Sequence, residues 1–77
     1  MRSRLRTLSD LKINEKGTIS GFTDDTLAVK LMEMGCLPGT EVSVALVAPL
    51  GDPLAISVAG YQLSLRKEEA LSITIEG

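Results

Sequence analysis

The sequence predicts a small, mainly β domain: five short antiparallel strands bent into a barrel, with one helix after the first strand. Three observations predict it. The chain has 77 residues, room for one domain over 1–77. Short runs of alternating apolar residues recur between Gly and Pro turn signals. Only one stretch, Thr23 to Met34, carries apolar residues at helical spacing. A domain of this size buries only about 60% of the surface its unfolded chain exposes. The 44% of hydrophobic residues therefore serve one core, and with 3% aromatics that core is aliphatic.

The elements follow in order. Met1 to Arg6, with Arg2, Arg4 and Arg6, reads as a flexible, solvated arm ahead of the apolar anchors Leu8, Leu11 and Ile13. Asn14 to Gly17 is a turn cluster. Lys16 to Phe22 is the first strand, and Gly21 inside it marks a bulge or sharp bend. The helix over 23–34 starts at a Thr23 or Asp24 cap and shows Leu27, Ala28, Leu31 and Met34 on one face. Gly35 ends it in a left-handed conformation, with Cys36 or Leu37 folding back as the apolar contact of the cap. Pro38-Gly39 turns the chain.

Glu41 to Ala48 is the second strand, with Val42, Val44 and Leu46 on one face. Pro49 to Pro53 is a turn whose prolines bar the ladder. Leu54 to Val58 and Tyr61 to Leu65 form a hairpin about Ala59-Gly60. Arg66 to Ala70 favours a single helical turn, and Leu71 to Ile75 closes the chain with Leu71, Ile73 and Ile75 inward. Five short strands with these connections fit a strongly bent barrel of the SH3-like type, whose closure removes exposed edges.

Composition excludes several functions. Ten acidic and eight basic residues give a net charge of −2, without the basic excess of a nucleic-acid binder. Only Phe22 and Tyr61 can stack on a base, too few also for an aromatic proline-peptide groove. There is no histidine, the commonest general base and metal ligand, and no G-x-S-x-G or S-x-x-K pattern, so no enzyme is expected. Cys36 follows a helix C-terminus, where the dipole disfavours a thiolate, and reads as a small core hydrophobe. The carboxylates Asp24, Asp25, Glu33, Asp52, Glu68 and Glu69 are scattered. They suit at most weak divalent binding, so no cofactor is expected. No apolar run approaches the ~20 residues of a membrane span. The basic N-terminus lacks the apolar segment of a secretory signal. A cytoplasmic location is the expectation.

A chain without catalytic groups acts through its surface. The candidates for partner binding are Met32 and Glu33 off the buried helix stripe, Leu50 at a proline-flanked tip with Asp52 beside it, and Arg66 with Lys67. The ordinary reading of each is a solvated or partly covered position. An incompletely closed barrel also leaves strand edges for homo-oligomer contacts.

Leu31 to Thr40 (LMEMGCLPGT), Val47 to Pro53 (VAPLGDP) and Leu63 to Lys67 (LSLRK) with Ala70, in this order and spacing, resemble the ferrous-iron transport protein A family over essentially the whole chain. Leu8, Leu11 and Gly17 fit as well. The resemblance implies an SH3-like barrel. It further implies a cytosolic accessory protein that docks on the large ferrous-iron permease, which carries a GTP-binding domain. The alternative it raises is a transition-metal-binding or sensing module akin to the C-terminal domain of iron-dependent repressors.

Overall fold

The structure, a computed structural model, describes residues 6–76. Its elements are β1 (Arg6–Thr7), a 3₁₀ turn (Leu8–Asp10), β2 (Lys16–Phe22), α1 (Asp25–Glu33), β3 (Glu41–Val47), β4 (Leu54–Val58), β5 (Tyr61–Leu65), α2 (Lys67–Leu71) and β6 (Ile73–Glu76). One six-stranded antiparallel sheet runs in the order β1-β6-β2-β3-β4-β5. The mainly β expectation is met, with one strand and one 3₁₀ turn more than the sequence pattern gave, and α2 stands where a single helical turn was expected.

The extra strand is β1. Arg6 pairs with Ile75 and Thr7 with Thr74, so the last residue of the expected arm is part of the sheet. The Arg6 guanidinium also donates to the Glu15 carboxylate at 3.0 Å. Met1 to Leu5, the rest of that arm, lie outside the described residues. The Glu15 carboxyl sits below its usual range, chiefly because it accepts the Lys12 N–H and also because it faces Arg6.

β2 is the pivot of the sheet. Its first half pairs with β3 and its second half with β6, and the register slips between Ile19 and Gly21. This is the bulge that Gly21 signals in the sequence. Gly17 is required here for a different reason: a Cβ on it would stand 2.5 Å from Ile75 Cγ2. The chain can cross β6 this closely only without a side chain.

A second bulge overturns one expectation. Val44 pairs with Ile56, but Leu46 pairs with Ala55, so Ala45 is the inserted residue in β3. One extra residue reverses the alternation beyond it. Val42 and Val44 are buried as expected, whereas Leu46 turns outward and is 62% exposed. The β4–β5 hairpin keeps an uninterrupted register about Ala59 and Gly60, both at positive φ, the twist that suits a two-residue hairpin.

α1 begins at Asp24, whose carboxylate accepts the Leu27 N–H at 3.0 Å. It ends as the sequence predicts. Gly35 at φ 106 lets the Cys36 N–H reach the Leu31 carbonyl and its own N–H the Met32 carbonyl. Cys36 folds inward and is fully buried, while Leu37 stays outside. The core is aliphatic, with Leu8, Ile19, Leu31, Val44, Ile56, Leu65 and Ile73 all nearly free of solvent contact. Leu71 corrects a further expectation. It closes α2 instead of opening the last strand, and its side chain is about half exposed.

Candidate docking site

The linear strand order leaves β5 at one end of the sheet. The C-terminal end of α1 comes near that end, and α1 also meets α2. Gly35, just past α1, faces the Tyr61 ring. Further back along the helix, the Lys30 ammonium meets the Glu69 carboxylate at 2.6 Å.

Glu69 is the organising residue of this flank. It occupies the third position of α2, and its Oε1 accepts the Arg66 N–H at 2.8 Å while Oε2 takes Lys30. This is the reciprocal half of a capping box. The carboxylate is nearly buried, and its pKa is held below the usual range first by the Lys30 contact and then by the Arg66 N–H, against the opposing effect of burial. The Cys36 thiol is pushed up, first by its burial and then by the nearby Glu69 charge. Cys36 is therefore a protonated core side chain, as expected from its place in the helix cap.

An open depression of about 490 Å³ lies on this flank, with Lys30 and Met34 on one wall and Asp52, Pro53, Ser64 and Arg66 among the others. The β3–β4 turn is tied to it: Asp52 accepts the Lys67 N–H at 3.2 Å. That bond brings three of the expected binding residues, Asp52, Arg66 and Lys67, to one place. Leu50 stands in the same turn and is 91% exposed, the most exposed large apolar side chain among the described residues. Met32 and Glu33 are exposed on the last turn of α1 and do not line the depression.

Lys30, Glu69 and Met34 are not among the binding residues expected from the sequence. The capping spacing of Glu69 behind Arg66 is legible, but its ion pair spans 39 residues and leaves no local signal. Among the described residues, no three His, Cys, Asp or Glu side chains converge to hold a metal ion. Among them, too, no helix is long and apolar enough to cross a membrane.

The FeoA domain family matches residues 6–77. The chain belongs to the FeoA family. The FeoA-like protein of Clostridium acetobutylicum is 37% identical, with a TM-score of 0.86 over 97% of this chain and 88% of that one. FeoA of Stenotrophomonas maltophilia, described as an SH3 domain protein and solved with zinc, is 29% identical with a TM-score of 0.79 over 91% and 88% of the two chains. These neighbours identify the bent sheet as an SH3-like FeoA fold. An Fe(2+) transport protein A/Fe(2+) transporter FeoB fusion protein of Porphyromonas gingivalis is 38% identical over 47 residues, 61% of this chain and 6% of that protein. A manganese-dependent transcriptional repressor shares the fold alone, at 14% identity and a TM-score of 0.84 over 97% of this chain and 37% of that one.

Proposed function

We propose that this FeoA-family chain is a non-enzymatic accessory protein of ferrous iron uptake. It docks on the cytoplasmic part of a GTP-binding ferrous iron transporter and modulates it by occupying a surface. The observation that carries this reading is the Porphyromonas gingivalis protein, in which an Fe(2+) transport protein A part and the transporter FeoB share one chain. A covalent link holds one module near another at effective concentrations around millimolar. Selection of such a link is understandable when the two parts work together.

The docking surface in this reading is the β3–β4 turn with the start of α2. Leu50 offers an apolar anchor on a turn that the Asp52–Lys67 bond already restrains, so little freedom is lost on binding. Arg66 and Lys67 flank it and steer an acidic partner surface. Met32 and Glu33 extend the contact along α1. Titration calorimetry against the soluble GTP-binding domain, with and without GTP analogue and ferrous ion, tests it. Saturable binding that Leu50→Asp and Arg66→Glu each weaken is the expected result. Binding indifferent to both substitutions removes this surface, and no binding in any state removes the reading.

The zinc held by the Stenotrophomonas maltophilia relative favours a second reading, a transition-metal-binding module. A melting temperature that rises with zinc and falls back with chelator supports it, and one unmoved by either removes it.

A further inference from the structure

The Lys30–Glu69 pair lines the depression described above, and a second one lies elsewhere along the two helices. In the first, Lys30 pairs with Glu69, Asp52 accepts the Lys67 N–H, and Arg66 adds a cation to the lining. The other, about 480 Å³, lies between the start of α1 and the end of α2. Its walls include Thr23, Asp24, Leu27, Glu68 and Leu71, with no lysine or arginine among its lining residues. Asp24 is occupied at the helix cap, but Glu68 makes no ion pair among the described residues, and Asp25 adds a third carboxylate in the first turn of α1.

Three features make this a seat and not an indifferent dent. Leu71 offers an apolar surface that the core does not use, and Leu27 beside it is only partly covered by the core. The walls are fixed before any partner arrives: the Thr23 N–H donates to the Ser72 carbonyl at 2.8 Å, and the Ser72 hydroxyl donates to the Glu69 carbonyl at 2.8 Å. A preformed site avoids the ordering cost of binding. Its rim is of one sign, which selects partners of the other.

We infer that this depression seats an apolar side chain carried on a basic segment of a partner protein, with Leu71 and Leu27 as its floor and Asp24, Asp25 and Glu68 facing the flanking cations. The inference goes beyond the transporter reading and does not depend on it. The two surfaces differ in what they present: a projecting leucine on the β3–β4 turn, and a receiving leucine pocket between the two helices.

The test is a titration of the full-length ¹⁵N-labelled chain with acetyl-Lys-Arg-Leu-Arg-Lys-amide at low ionic strength, read from backbone amide shifts. Saturable shifts are expected at Thr26, Leu27, Glu68 and Leu71, weakened by added salt. Replacing the peptide's leucine by serine is expected to weaken binding about tenfold or more, the equivalent of losing one buried leucine side chain. Leu71→Asp and Glu68→Lys in the protein should each weaken it as well. Both positions are exposed, so a dispersed spectrum will report that the fold is intact. Should Leu71→Asp fail to fold, Glu68→Lys and the serine peptide still decide the matter. Shifts centred elsewhere, equal response to the serine peptide, or no saturable response overturns the inference.

Discussion

The β3–β4–β5 meander and the α1–α2 flank are built by different means. The meander is held by a backbone ladder and by side chains such as Val44, Ile56, Val58 and Leu65, all buried. The flank is held by fewer, individual interactions: the Asp24 cap, the Schellman turn at Gly35, and Glu69 between Lys30 and the Arg66 N–H. A ladder distributes its cohesion, so no single polar side chain decides it. The flank concentrates its cohesion on named groups, of which Lys30, Glu69 and Arg66 line the first depression and Asp24 the second.

The largest effect that sharpens this comparison is in the meander. Ile56→Ala opens a cavity in a fully buried site and should cost about 3 kcal/mol in urea unfolding, within the usual range of about 2–5. Gly17→Ala comes next. Its new Cβ meets Ile75 Cγ2 in a packed crossing, and a loss of about 2 kcal/mol is expected in the same assay.

Glu69→Ala tests the flank. It removes the α2 cap and the Lys30 contact together, though Lys30 is 59% exposed and its attraction is screened. About 1–2 kcal/mol is expected. Hydrogen exchange should quicken in α1 and α2 well before β4 and β5. Uniform quickening over the whole chain would break the comparison, because it would make the flank inseparable from the sheet.

The pH dependence follows from the same carboxylate. Folding lowers the Glu69 pKa from the usual carboxylate value of 4.5, so its contribution is fully present above that pH. It is lost as the pH falls through the lower folded value. Glu69→Gln should flatten the acid limb of the stability curve below about pH 4.5 and leave neutral pH little changed in slope. The smallest effect belongs to Leu50→Ala. Its side chain is almost fully in solvent, and unfolding stability should move by no more than about 0.5 kcal/mol.

Much of the fold was legible because its signals are local. The hairpin at Ala59-Gly60, the bulge at Gly21 and the helix stop at Gly35 are each written in a few adjacent residues. What was not legible depends on distant partners. β1 has two residues and exists only because β6 passes beside it. Leu46 continues the apolar alternation of its strand, and only the slip opposite Ala55 turns it outward. Leu71 has the phase of a strand residue, but the Glu69 cap starts a helix that absorbs it.

The candidate site divides the same way. Leu50, Asp52, Arg66 and Lys67 were visible as a proline-bounded tip and a charged turn, and the Asp52–Lys67 bond joins them. Met32 and Glu33 stand exposed on α1, outside the depression. Lys30 and Glu69 were hidden because their pairing crosses from one helix to another.

The central claim is that the Leu50 turn, and not the sheet, meets the transporter. The most direct measurement is amide-shift mapping of the labelled chain during titration with the soluble GTP-binding domain. Perturbations concentrated at 50–52 and 66–67 are expected, with the outer sheet surface around Ser43 and Ser57 silent. Perturbations centred on Ser43 and Ser57, with the Leu50 turn unmoved, would contradict it.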